Sequence, residues 1–234
     1  MVNKLSSKIV NNRFKAVKVK TAKHRKISST NWLQRHLNDP YVGEAKERGY
    51  RARSAFKILE INEKFKIFKK GYKVLDLGAA PGGWSQIAVE KVGYDNVLSV
   101  DILPMDYIKG VKIIQKDFLA DDAKDLILGK MNGEKYNVVM SDMAANTTGD
   151  RKTDYLRTML LVETAFDFAV QVLVEGGTFV SKIFQGGAEK EFMDKLKKNF
   201  KVAKFFKPQS SRKDSVETYV VAMGFVGGCP NKNK

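Results

Sequence analysis

Short apolar runs with β-prone residues alternate along this chain with longer stretches of helical period, and that alternation predicts a parallel sheet carrying helices on both faces. The runs place strands at Lys73 to Leu77, Asn96 to Asp101, Val111 to Gln115, Tyr136 to Ser141, Thr178 to Phe184, Lys201 to Phe206 and Glu217 to Phe225. Ser54 to about Phe68 sets Ile58, Ile61, Phe65 and Phe68 on one helical face, and Gly71 is expected to close that element. Further helices are predicted from Trp84 to Val92, from Thr153 to Val174 with Glu175-Gly-Gly177 as the stop, and from Glu189 to Lys198. The loop Lys207 to Val216 is too short for a crossover with its own helix, so the last strand is expected to run antiparallel. The fold class is α/β, a seven-stranded, mostly parallel sheet.

With 234 residues, 43% of them apolar, the chain can bury one substantial core. A basic N-terminal extension over residues 1–30, one catalytic-sized domain over 31–226 and a tail over 227–234 are the expected divisions. The net charge of +16 is uneven: residues 1 to 73 hold 20 Lys and Arg against 5 acids, and residues 74 to 234 hold 22 against 21. Clustered positive charge is the footprint of a polyphosphate partner, because each neutralised phosphate releases condensed counterions. For residues 1–30 a disordered basic tail is the equal alternative. The absence of any acid before Asp39 also suits an organellar transit peptide, but Lys outnumbers Arg seven to two over the first 30 residues, against the usual bias.

No stretch nears the roughly 20 apolar residues of a membrane span, and the N-terminus has no secretory-type apolar core. A soluble cytoplasmic monomer without membrane attachment is expected. The single cysteine, Cys229, lies near the end beside a proline, which removes disulfides, cysteine-based zinc sites and a thiol nucleophile from consideration. No metal is expected.

The turn after the first strand, Gly78 to Gly83, lies where open α/β sheets bind ligands. Its spacing is G-x-x-x-G-G rather than G-x-G-x-x-G, and Pro81 removes a donor that a pyrophosphate would use. A ligand without phosphate, such as an adenosyl sulfonium carrying an amino acid, fits better. Asp101, ending the second strand, suits both ribose hydroxyls of such a ligand, and Asp117 could accept from the adenine amine.

Taken together, Arg53-Ser-Ala-Phe-Lys57, Asp76-Leu-Gly-Ala-Ala-Pro-Gly-Gly-Trp84, Ser141-Asp-Met143, Ser181-Lys182 and Ser211-Arg-x-x-Ser-x-Glu217-x-Tyr219 resemble the FtsJ/RrmJ family of S-adenosylmethionine-dependent RNA ribose 2′-O-methyltransferases. The resemblance runs in order over roughly residues 31 to 226. It implies a Rossmann-like class I methyltransferase fold, with Gly82, Trp84, Asp101, Asp117 and Asp142 binding S-adenosylmethionine and releasing S-adenosylhomocysteine. Asn146-Thr-Thr-Gly149 and the lack of an added RNA-binding domain look most like bacterial members acting on the large ribosomal subunit, which points to a uridine of 23S rRNA, within the 50S particle, as target. One departure is Ala145, where the family usually has proline, and it is expected to loosen the loop after the fourth strand.

Methyl transfer to a hydroxyl is an in-line displacement for which alignment alone can supply about 7–11 kcal/mol. The alcohol must also lose its proton, and both histidines, His24 and His36, precede the predicted sheet, which leaves a lysine as base. A free lysine would have to lose about three pKa units to be half neutral near pH 7, roughly 4 kcal/mol, which a second ammonium and excluded water can provide. Lys182, inside the apolar run Phe179-Val-Ser-Lys-Ile-Phe184, is expected to take the proton. Lys57 and Glu217 would orient it and the ribose, Asp142 would hold the cofactor near its methyl, and the resemblance assigns the same four residues. The basic stretch Tyr50-Arg-Ala-Arg53 and the segment Ser210 to Lys213 are expected to touch RNA phosphates from two rims. Cytosine C5 transfer lacks its cysteine, and the motif of adenine N6 transfer is missing after Ser141. The competing functions are tRNA ribose methylation, a non-catalytic RNA-binding ribosome-assembly factor and, third, a nicotinamide dehydrogenase.

Overall fold

The computed structural model describes residues 17–19, 27–130, 133–146, 148–184, 187, 189–212 and 215–227. Most of the basic extension, together with Thr147, Lys213 and Cys229, lies outside them. The seven strands β1 (Val74–Leu77), β2 (Val97–Asp101), β3 (Val111–Gln115), β4 (Tyr136–Ser141), β5 (Leu173–Phe184), β6 (Phe200–Phe206) and β7 (Glu217–Phe225) form one sheet in the order β3-β2-β1-β4-β5-β7-β6. β7 slots between β5 and β6 and is antiparallel to both, while all other pairings are parallel. The strand order reverses between β1 and β4, and that switch point opens the ligand crevice at the carboxyl ends of the strands.

Seven helices of the described chain connect and cover the sheet: α1 (Ile27–Leu37), α2 (Pro40–Glu47), α3 (Ala55–Phe65), α4 (Gly83–Val92), α5 (Ala123–Lys130), α6 (Arg151–Val172) and α7 (Glu189–Asn199). α1, α2 and α5 have no counterpart in the sequence reading: α2 and α5, at eight residues each, carry too few apolar repeats to announce themselves, and α1 straddles the boundary of the basic extension expected over residues 1–30. α2 is marked instead by its start. Asp39 accepts the N–H of Tyr41, and Pro40 occupies the first turn, where a missing N–H costs nothing.

Two expected element ends move. α3 stops at Lys66, which takes a left-handed conformation (φ 54°) and bonds back to Asn62, whose side chain then caps the N–H of Phe68. Gly71 lies farther on and ties its N–H to Val92, joining α4 to the lead-in of β1. Glu175-Gly-Gly177 is not a helix stop either. α6 ends at Val172, and the three residues belong to an irregular stretch of β5, where the register against β4 jumps from Tyr136–Leu173 to Val138–Thr178. Gly176, at φ 79°, supplies the bend that a side-chain-bearing residue would resist.

The core lies in two layers. On one face α5, α6 and α7 press Ile127, Phe166, Phe168, Phe192 and Leu196 onto Leu75, Leu77, Phe179 and Val220. On the other, α3 and α4 press Ile58, Ile61, Trp84 and Ile87 onto Val74, Met140, Val180 and Tyr219. Because side chains alternate along a strand, Val180 and Tyr219 on this second face mean that Lys182 and Glu217 share it. The chemistry-bearing residues of β5 and β7 therefore end up under α3.

Candidate active site

Register does most of the assembly. Ser141 pairs with Ser181, so Asp142, one residue past β4, comes level with Lys182, which sits directly across from Tyr219 on β7. Glu217 lies two residues before Tyr219 on the same face, and α3 lowers Lys57 onto it. Lys182 Nζ is 3.1 Å from Asp142 Oδ1 and donates to the Asp142 carbonyl oxygen at 2.5 Å. Lys57 Nζ is 3.1 Å from Glu217 Oε2. All four predicted catalytic side chains thus meet as two ion pairs, with Lys182 6% and Lys57 8% exposed.

The link between the pairs is Tyr219. Its hydroxyl donates to Asp142 Oδ1 at 2.9 Å, and its ring lies 5.5 Å beneath Lys57 Nζ and 5.6 Å from the Trp84 ring. The sequence reading quoted Tyr219 within its motif without giving it work; only the cross-strand register reveals the contact. Burial pushes the Asp142 carboxyl up, but Lys182, Lys57 and the Tyr219 hydroxyl outweigh it, and Asp142 is held below the usual carboxylate range. Burial, with the charges of Asp142 and Glu217, raises the Tyr219 hydroxyl well above its ordinary value, so it stays a donor.

The glycine turn is closely fitted. Gly82 holds φ at 105°, a conformation a residue with a side chain resists, and a Cβ on Gly78 would fall 2.6 Å from the Met143 side chain and 2.9 Å from its backbone nitrogen. Trp84 is buried and anchors α4 to the lead-in of α3 by donating from Nε1 to the Ser54 carbonyl at 2.9 Å. Asp101 accepts the N–H of Ala80 and of Leu103, both at 2.8 Å, and so is braced across the turn. Asp117 is exposed at the rim after β3, accepting from the N–H of Leu119 at 2.9 Å.

Beneath the turn, Asp76 is fully buried. It accepts from Ser85 Oγ at 2.6 Å, and Ser85 is 2.8 Å from Ser99 Oγ. Its other oxygen has no partner among the described residues. Burial, with Asp142 and Asp101 nearby, pushes Asp76 up to about 7. Three acids at the ends of β1, β2 and β4, one with an orphaned oxygen, suit a positively charged ligand and disfavour a phosphate.

Next to Lys57 and Glu217 opens a groove of about 830 Å³ whose walls include Arg35, Lys46, Arg51, Arg53 and Arg212. Arg51 also donates to the carbonyls of Pro81, Asp106 and Tyr107, tying the basic lead-in of α3 to the glycine turn and to the loop after β2. One expectation fails here. Ser210 and Ser211 were expected on a phosphate-contacting rim but are 0% and 6% exposed, their hydroxyls enclosed, because the loop before β7 folds down onto α3. Among the described residues no group of three or more His, Cys, Asp or Glu is placed to hold a metal ion, and no helix is long and apolar enough to cross a membrane.

Residues 50–225 match the FtsJ-like methyltransferase family. The chain belongs to that family. Among curated relatives it is 57% identical over 217 residues, covering 90% of this chain and 88% of the other, to ribosomal RNA large subunit methyltransferase E of Paramagnetospirillum magneticum. The protein of the same name from Rickettsia rickettsii (strain Sheila Smith) is 51% identical, over 90% of this chain and 95% of its own. Among solved structures, a ribosomal RNA methyltransferase from Plasmodium falciparum superposes with a TM-score of 0.68 at 27% identity, covering 76% of this chain and all of that one. As an FtsJ-like methyltransferase, this chain is an enzyme with its buried ion pairs at the carboxyl end of the sheet, where the fold binds ligands.

Proposed function

We propose that this enzyme methylates the 2′-hydroxyl of a ribose, a uridine, in 23S rRNA of the large ribosomal subunit, with S-adenosylmethionine as donor and Lys182 as the group that receives the hydroxyl proton. The rRNA substrate is supported by two relatives, 57% and 51% identical, both named for the large-subunit RNA. The observation that carries the role of Lys182 is its double hold on Asp142, through the carboxylate at 3.1 Å and the carbonyl at 2.5 Å, which aims a buried amine into the crevice.

The residues present fit the donor: a tight glycine turn, Asp101 for ribose hydroxyls, Asp117 at the rim, and a cluster of carboxyls, one Asp76 oxygen without a partner among the described residues, that suits a ligand carrying no phosphate. When bound, S-adenosylmethionine supplies a methyl group on positively charged sulfur and departs as the neutral thioether. Everything else falls to the protein. Lys57 and Glu217 orient the acceptor ribose from the α3 side, and Asp142 and Tyr219 fix the amine of Lys182 against it. Acting as a base requires the neutral amine at the moment of transfer. The basic groove beside Lys57 receives the RNA backbone, and a 2′-hydroxyl restricts the acceptor to RNA.

The test is transfer of labelled methyl from S-adenosylmethionine to purified large subunits, free 23S rRNA and bulk tRNA, followed by mapping of the modified ribose. Labelling of tRNA above the ribosomal substrates sinks the substrate assignment. Methyl found on a base sinks the chemistry.

A further inference from the structure

α3 does more than present Lys57. Arg53, in the turn leading into it, and Glu60, one turn past Lys57, follow the spacing i, i+4, i+7, which stacks the three on one stripe of the helix. All three reach across to the chain that runs from β6 to β7. Glu60 accepts the backbone N–H of Ser210 at 2.9 Å and also that of Gln209. Arg53 donates to the Ser210 carbonyl and pairs with Asp39 at 3.0 Å. Lys57 takes Glu217, where the loop becomes β7. Ser210, wholly buried, therefore has its N–H and its carbonyl fixed by two side chains of the same stripe.

From this geometry we infer that Glu60 is a positioning residue for the methyl transfer: it clasps Gln209 and Ser210 to α3 and so sets where Glu217 meets Lys57. Residues 207–212, the described stretch after β6, carry no helix or strand and would otherwise leave the start of β7 free to shift. A carboxylate accepting two successive backbone N–H groups is a strong, directional anchor. The clasp and the Lys57–Glu217 pair leave the same helix three residues apart, so the anchor and the reacting group move as one body. Among the described residues Glu60 makes no hydrogen bond or ion pair with the glycine turn, Asp142 or Lys182, so its effect must travel through Gln209 and Ser210. This inference rests on the proposed role of Glu217.

The experiment uses the full-length protein and large ribosomal subunits. Glu60→Ala is expected to slow single-turnover transfer about tenfold or more, with cofactor affinity changed by less than about twofold. Glu60→Gln, which keeps one acceptor oxygen, should fall between it and wild type. Hydrogen exchange at the Gln209 and Ser210 amides should speed up in both variants, a readout independent of turnover. In a Glu217→Ala background, adding Glu60→Ala should change the rate by less than about twofold, because the residue being positioned is already gone. A Glu60→Ala rate within about twofold of wild type, or a loss that multiplies in full with that of Glu217→Ala, overturns the clasp. If Glu60→Ala does not fold, Glu60→Gln with unchanged amide exchange and rate overturns it equally. A Glu217→Ala variant of wild-type rate instead overturns the underlying role of Glu217, and the clasp with it.

Discussion

The two faces of the sheet solve different problems. Under α5, α6 and α7 the packing is aromatic edge to face: Phe166 meets Phe179 and Phe192 at ring-centroid distances of 5.9 and 5.7 Å, and Phe118 meets Phe168 at 5.7 Å. The buried polar groups assigned to that side are hydroxyls such as Ser181. Under α3 and α4 lie Asp76, Lys57 and Lys182, the buried Asp, Glu, Lys or Arg side chains among the described residues. A buried charge destabilises a fold unless it is paired and hydrogen-bonded, so a sequence keeps one only where something else requires it. One face holds the molecule together, and the other spends part of that stability on a site.

The two faces differ most at Lys182. Lys182→Ala should cut single-turnover methyl transfer about 10³-fold or more, the scale of a lost general base, while leaving a cooperative melt. A variant that keeps more than about a tenth of the wild-type rate removes Lys182 from that role. On the opposite face, Phe166→Ala should cost about 3–5 kcal/mol of stability, read from urea unfolding, because the Phe179 and Phe192 rings lose their partner. Its rate per folded molecule should stay near wild type. If Phe166→Ala instead slows transfer without destabilising, the division of labour between the faces is wrong.

Asp76 sharpens the same contrast through pH. Its folded-state pKa, about 7, stands above the unfolded carboxylate value of about 3.9, so the fold prefers the neutral form. The stability it contributes is complete below about pH 4 and is lost as pH rises to about 7, after which the curve is flat. Asp76→Asn cannot ionise. Its stability relative to wild type should therefore improve by roughly 3–4 kcal/mol between pH 4 and pH 8, since Asp101, Asp142 and every other titrating group are common to both proteins. A constant difference across that range would mean that Asp76 ionises normally despite its burial.

Legibility followed period and register unevenly. The strands were legible because short apolar runs repeat between helical stretches: β3, β4 and β7 keep their expected bounds and β6 begins one residue early, while β5 begins five residues early at its irregular stretch. The joint placement of Lys57, Asp142, Lys182 and Glu217 was legible through the motif resemblance, and the parity of β5 and β7 explains it physically. The end of α3 was not, because Asn62 and Lys66 make an αL cap without glycine. Nor were the buried Ser210 and Ser211, since their enclosure depends on Glu60 and Arg53, about 150 residues away in sequence. Local composition reads serines and an arginine in a loop as an exposed rim, and a tertiary contact reverses that reading. Tyr219 is the same kind of omission inside the site.

The smallest expected effect belongs to that tyrosine. Tyr219→Phe keeps the ring, and with it the packing on Trp84 and the contact beneath Lys57, and removes only the hydroxyl that donates to Asp142 at 2.9 Å. A hydrogen bond to a charged group contributes about 1.5–3 kcal/mol, so a loss of roughly 10- to 150-fold in single-turnover rate is expected, short of Lys182→Ala. The pH profile separates its two possible roles. Asp142 is held ionised partly by this bond, and its pairing with Lys182 is present at high pH and lost as pH falls through its depressed pKa. Without the Tyr219 hydroxyl that depression shrinks, so the acid limb of the stability profile should move to higher pH in Tyr219→Phe. A lower rate with an unmoved limb would leave the hydroxyl aligning Asp142 without setting its charge, and an unchanged rate and limb would return Tyr219 to the apolar layer it packs against.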